Sequence, residues 1–133
     1  MNRTDRFHFL FLFITAATVF ITGCSRGPKL NEVTGRVTLD GTPQEGIVVT
    51  FEPVSGKTAT GMATTGTGGA YTIYYPGDAA GIPAGEYQVR FTPAETDDGP
   101  PKWDIPEKYN RKTEVTATVK EGKNECNFDL KTR

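Results

Sequence analysis

Val33-Thr34-Gly35-Arg36-Val37-Thr38-Leu39-Asp40-Gly41 alternates apolar and polar residues from Val33 to Leu39 and then stops at an Asp-Gly pair. That period of two is the pattern of a half-buried strand, and its β-branched residues suit a pleated surface. Asp-Gly supplies the turn that ends it. Gly35 is the one apolar-face position without a side chain, which lets a neighbouring backbone or ring come close.

The same reading extends along the chain. Ile47, Val49 and Phe51 mark a second strand, halted by Pro53 and the Ser55-Gly56 turn, and Lys57 to Thr65 reads as a weaker, Thr-rich edge strand. Gly66-Thr67-Gly68-Gly69 then predicts a tight hairpin leading to Tyr71, Ile73 and Tyr75. A Gly, Ala and Pro-rich loop, 76–84, delivers Tyr87, Val89 and Phe91 as the inward face of a fifth strand, with Gln88 and Arg90 outside. Val115, Ala117 and Val119 form a sixth; a turn over 121–124 leads to a seventh carrying Cys126, Phe128 and Leu130. No apolar stripe of helical period occurs. Short strands at this spacing predict an all-β fold, a seven-stranded Greek-key β-sandwich of the prealbumin or Ig-like kind. The unequal quality of the strands disfavours an up-and-down barrel.

One loop, 94–112, breaks the rhythm with Pro100, Pro101 and Pro106 and the acidic residues Glu95, Asp97, Asp98, Asp104 and Glu107. Its carboxylates lack the spacing that converges oxygens on calcium, so they read as solvated charge and no metal is expected. Trp103 and Tyr109 are the candidate ligand contacts, since an aromatic on a proline-stiffened loop is a low-entropy contact surface. The alternative is a lid, with Trp103, Ile105 and Tyr109 folded over one open end of the sandwich.

The N-terminus carries Arg3 and Arg6, an apolar run from Phe7 to Ile21, and then Ile21-Thr22-Gly23-Cys24. The run is shorter than the roughly 20 residues of a membrane span, and the order of its parts is that of a cleavable signal. The tetrapeptide resembles the lipobox of bacterial lipoproteins, which implies a diacylglyceryl group on the Cys24 sulfur. The expected organisation is a signal helix over 1–23, a tether over 24–31 and a sandwich domain over 32–133. The partner this implies is a membrane, held through lipidated Cys24. Ser25, where an aspartate would favour retention at the inner membrane, points to a cell-envelope location at the outer membrane.

Processing also narrows the chemistry. His8 is the single histidine of the chain and would leave with the signal, which removes Ser-His-Asp, Cys-His and the usual zinc sites. With Cys24 lipidated, Cys126 has no disulfide partner and reads as a small core residue. Loss of Arg3, Asp5 and Arg6 shifts the net charge from −1 to about −2, which gives no basis for binding nucleic acid. The glycines at 66–69 are followed by a strand and not by a helix N-terminus, so they make no phosphate cradle.

The succession Val33 to Pro43, Ile47 to Pro53, a Gly-rich hairpin before Tyr71, and Ile82-Pro83-Ala84-Gly85-Glu86-Tyr87-Gln88-Val89 resembles the carboxypeptidase regulatory-like (transthyretin-like) domain. With the lipobox, Ile105-Pro106-Glu107-Lys108-Tyr109 and the closing hairpin from Val115 to Leu130, the chain is similar to small single-domain lipoproteins of planctomycete bacteria. Where that family has an Asp-rich turn before the aromatic, this chain has Thr65-Gly66-Thr67-Gly68-Gly69-Ala70. The resemblance implies a non-catalytic domain without a cofactor. Its expected role is that of a structural or protein-interaction module touching an envelope protein or glycan. The alternative is a glycan- or small-ligand-binding lipoprotein with Trp103 in the 94–112 loop as its contact.

Overall fold

The computed structural model describes residues 27–101 and 103–133. The expected signal segment 1–23, the expected lipidation site Cys24 and the first part of the expected tether lie outside the described residues.

Two sheets face each other in a β-sandwich. The strands are β1 (Glu32–Leu39), β2 (Thr42–Pro43), β3 (Ile47–Pro53), β4 (Gly61–Thr64), β5 (Ala70–Thr72), β6 (Tyr74–Tyr75), β7 (Ala79–Ala80), β8 (Gly85–Pro93), β9 (Thr116–Val119), β10 (Lys123–Glu125) and β11 (Phe128–Leu130). In the first sheet β1 is central: β10 and β11 run parallel to it, β2 and β5 antiparallel. The second sheet has the order β7-β6-β4-β3-β8-β9, all antiparallel. Within it the later strand β8 returns to lie beside β3, on the side opposite β4.

The expected fold class is what the chain adopts, with eleven strands in place of seven. Two extra strands, β2 and β7, are two-residue pieces with no periodicity to detect. The predicted fourth strand divides: β5 pairs with β1 in one sheet, and after Ile73 the chain passes to the other sheet as β6. The predicted seventh strand divides at Cys126-Asn127 into β10 and β11.

Two expectations need correction. Gly66 to Gly69 is a crossover between sheets and not a hairpin, because β4 pairs with β3 whereas β5 pairs with β1. A 3-10 turn over Thr67–Gly69 carries positive φ at Gly68 and Gly69, so the glycines serve the backbone as expected but in a different connection. The segment read as an edge strand over 57–65 is shorter, β4, and lies between β3 and β6. Its threonines suggested exposure on one face, which says nothing about what pairs with its edges.

Alternation sets the core. Val33 and Val37 from β1, Ile47, Val49 and Phe51 from β3, and Tyr87, Val89 and Phe91 from β8 are all buried. Full burial of each such side chain contributes roughly 1.5–3 kcal/mol. Half-buried Phe128 of β11 joins the sheets by meeting Phe91 edge-on with ring centroids 5.1 Å apart, and Phe51 at 6.4 Å. Between β1 and β2 the two-residue turn Asp40-Gly41 has φ of 52° and 83°, the positive pair that a type I′ hairpin demands.

Gly35 is the tightest point of the core. A Cβ there would fall 2.9 Å from the Tyr71 hydroxyl and closer still to the carbonyl oxygen of Cys126. That carbonyl sits at the break between β10 and β11 and accepts a 2.5 Å hydrogen bond from the Tyr71 hydroxyl. Gly35→Ala is expected to lower stability by at least the roughly 1–3 kcal/mol of an overpacked core, and Tyr71→Phe by about 1–3 kcal/mol through the carbonyl left unpaired. Urea unfolding of both variants measures this; a Gly35→Ala protein as stable as wild type would contradict the close packing.

Candidate functional site

The strand directions give the domain two poles. β1 starts at Glu32 beside the tether and ends at Leu39, and its eight residues span about 26 Å. β3 starts and β8 ends at the Leu39 pole, where Ile47 faces Pro93. The loop 94–112 therefore leaves from the pole opposite the tether.

At the tether pole Asn31 is buried, exchanges backbone hydrogen bonds with Ile82 (2.8 and 3.0 Å), and accepts one from the Gly122 amide at its side-chain oxygen (3.0 Å). This clamp fixes where the tether ends. A lone asparagine before a strand gives no sequence signal for it.

At the far pole the loop begins with the Ala94 amide donating to the Gly46 carbonyl (2.8 Å), followed by a local turn in which the Thr96 hydroxyl donates to the Gly99 carbonyl (2.8 Å). Trp103 is half-buried. It lines a groove of about 630 Å³ with Pro93, Ala94, Pro100, Pro101 and Asp104, and a second concavity beside it takes in Glu45 and Gly46. Past Trp103, Ile105 is buried in the core, and Tyr109 stands edge-on to Phe91 with ring centroids 6.5 Å apart. The Tyr109 hydroxyl accepts from the Lys131 amide (3.0 Å), and the Lys108 ammonium lies 5.0 Å from its ring centre.

The two candidate contacts thus have different surroundings. Ile105 is buried, and Trp103 and Tyr109 both pack half-buried against the core as the inner side of a lid, while Trp103 also lines a surface groove that Tyr109 does not. Glu45, Glu95, Asp98 and Asp104 edge this region and have no ion-pair partner among the described residues. Among the described residues no three His, Cys, Asp or Glu side chains gather as a metal site would require.

Three further polar residues hold this pole together, of which only Asp40 is marked in the sequence, as part of the Asp-Gly turn. The buried Thr65 hydroxyl donates to the Gln44 carbonyl (2.7 Å) and accepts from the Ile47 amide (2.9 Å). The Asp129 carboxylate accepts from the Thr38 hydroxyl (2.7 Å), the Gly41 amide (3.1 Å) and the Lys131 ammonium (2.5 Å). Asp40 binds the amide and hydroxyl of Thr132 (2.9 and 2.5 Å), which secures the last residues. The contacts of Asp129 with Thr38 and Gly41 and of Asp40 with Thr132 join positions about 90 apart in sequence, and those of Thr65 about 20, so no local motif announces them.

Cys126 is half-buried against the core, and burial raises its thiol above the ordinary range, which leaves it protonated at neutral pH and a weak nucleophile. Burial likewise raises the Tyr71 phenol far above its usual value, consistent with a hydroxyl that only donates. The Lys131 ammonium, followed by the Thr38 hydroxyl, holds Asp129 down at about 2. Asp40 is lowered too, chiefly by the Thr132 hydroxyl.

Two outcomes are expected from this geometry. Because the Asp129 carboxyl is depressed in the folded state, its contribution is complete above the unfolded value near 3.9 and is lost as pH falls through about 2. Unfolding followed between pH 5 and 2 should therefore show a smaller loss for Asp129→Asn than for wild type. Trp103 is the one tryptophan in the sequence, so its emission reports this groove alone. We expect a maximum between those of buried and free indole, with partial acrylamide quenching; a fully shielded ring would remove the groove as a contact surface.

No family model matches the sequence, and neither does any curated protein. Among solved structures the chain is similar to BcpA, the major pilin subunit of Bacillus cereus, with a TM-score of 0.54 and 14% identity over 80% of this chain. A single-residue variant of that pilin matches with a TM-score of 0.51, also at 14% identity, over 78% of this chain. The chain spans less than a third of the pilin's length, 31% and 30% in the two cases. At this identity the likeness is one of fold.

Proposed function

We propose that the protein is a non-catalytic, lipid-anchored β-sandwich of the cell envelope that serves as a structural or protein-interaction module. The observation that carries this reading is the opposition of the two poles. The tether ends in the Asn31 clamp at one end, and the Trp103 groove opens at the other, where a domain standing on a membrane would meet its surroundings. The lipobox at Cys24 supports the anchor, and two or three acyl chains hold a protein far more firmly than one. That a similar fold serves as a major pilin subunit supports a structural task for this one. The resemblance to the carboxypeptidase regulatory-like domain belongs to the same proposal, and the close packing at Gly35 in the first strand supports it.

A glycan or small ligand is the second reading, favoured by one observation: half-buried Trp103 lines a groove beside two prolines and carboxylates that have no ion-pair partner among the described residues. Flat apolar faces next to hydrogen-bond acceptors are what a sugar ring or a small amphipathic ligand needs.

Photo-crosslinking in intact cells separates these readings. A crosslinker at exposed Glu95 should capture an envelope protein under the first and peptide-free glycan or nothing under the second; one at Thr118, on the side of the sandwich, serves as the control. Replacing Cys24 by Ala should move the protein from the membrane to the soluble fraction. Continued co-sedimentation with membranes would refute lipid as the means of attachment.

A further inference from the structure

We infer that the Asn31 pole is a lipid-facing surface, with its turn lysines and exposed Val54 lying against anionic headgroups of the bilayer that holds Cys24. The inference rests on the lipid-anchor reading above, and reach is its first support. About seven residues link Cys24 to the clamp, which limits its reach to about 25 Å even when fully stretched. Asn31 is bound on both sides, to Ile82 and to Gly122, so the domain lends no further slack.

Charge is the second support. The turns around Asn31 carry Lys29, Lys57, Lys120 and Lys123, balanced by Asp78 and Glu121 in the same turns and by Glu32 and Glu86 at the strand ends beside them. The 120–123 turn is held level with the tether by the Lys29–Glu121 ion pair (3.1 Å), in which both side chains stay largely exposed. The opposite pole is the more acidic one: Asp40, Glu45, Glu95, Asp97, Asp98, Asp104, Glu107 and Asp129 stand there against Lys102, Lys108, Lys131 and Arg133 in the sequence. A domain whose far pole is the more acidic turns that pole away from an anionic surface and leaves its turn lysines facing it. That field decays over about 10 Å, a distance comparable with the tether.

Val54 is the third support. At 65% exposure it exceeds Met62 (51%) and Tyr74 (47%), the other exposed large hydrophobic side chains among the described residues. It follows the last residue of β3, where its amide donates to the Glu86 carbonyl (3.0 Å), and it leads into the turn closed by Gly56. An apolar side chain at a turn, with Lys57 close behind, suits the boundary between headgroups and acyl chains.

The test uses full-length lipidated protein in vesicles of phosphatidylcholine containing a minority of phosphatidylglycerol. A nitrobenzoxadiazole fluorophore is placed at Val54→Cys or, at the far pole, at Glu95→Cys. Labelled wild type sets the background from Cys126. Headgroup-nitroxide lipid should quench the probe at 54 several-fold more than the probe at 95. Joint replacement of Lys57, Lys120 and Lys123 by Glu should shrink that difference while the protein still floats with the vesicles. Equal quenching at both positions in a floating protein would overturn the inference and leave the anchor standing. Protein that does not float would overturn the anchor and the inference together.

Discussion

The fold turns on one buried contact, the Cys126 carbonyl seated over Gly35 and capped by the Tyr71 hydroxyl. β1 is the centre of its sheet and pairs with every other strand there, so whatever happens at its midpoint affects them all. The last strand runs along one edge of β1 but breaks at Cys126-Asn127, opposite Gly35. An inward-turned carbonyl at such a break would be an unsatisfied buried acceptor, at a cost of about 1–3 kcal/mol. Tyr71 comes from β5 on the other edge of β1, so its hydroxyl bonds across the strand between them. On the outer side the Asn127 side chain accepts from the Arg36 amide (2.9 Å), which supplies the partner the interrupted ladder omits. The absence of a side chain at Gly35 makes room for the whole arrangement.

From this centre the chain's path determines what lies at each end. β10 meets β1 at Glu32 and β11 meets it at Leu39, so the final strand carries the C-terminus from the tether pole to the far one. There Asp129 and Asp40 fasten the last residues to the β1–β2 turn. Both carboxylates are lowered by the partners they hold, and all of those partners lie at the surface. Exposed contacts of this kind add little individually. Their effect is local: they fix the register of the turn on which the neighbouring loop rests.

Much of this was legible in the sequence, and the limits follow from what a pattern can encode. β1, β3, β8 and β9 were visible because one face of each is buried, which imposes alternation. β2 and β7 were not, because a two-residue strand has no period and exists only through its neighbour. The glycines at 66–69 announced positive φ but not the next partner, since turning back into the same sheet and crossing to the other require the same backbone freedom. The tyrosines at 71 and 75 looked like one strand for a related reason: an inward-facing side chain reads alike in either sheet of a sandwich. The far pole was legible as a loop with an aromatic on it. Its fastenings were not, because Thr38 and Asp129 are brought together by the pairing of the first and last strands and by nothing local.

The loop 94–112 gains from serving two ends at once. A binding loop that must be ordered on contact loses affinity to that ordering, and each immobilised side chain takes about 0.5–1.5 kcal/mol. Here Ile105 in the core, Tyr109 against Phe91 and the Tyr109 hydroxyl on the Lys131 amide already hold the returning half of the loop. The Ala94 bond to Gly46 holds the outgoing half. Trp103 lies between these fixed points, beside prolines that restrict the backbone further. Folding has therefore borne most of the ordering cost before any partner arrives. The lid and contact readings of this loop are compatible on that account: the residues that close the core are what hold the remaining aromatic in place at the surface.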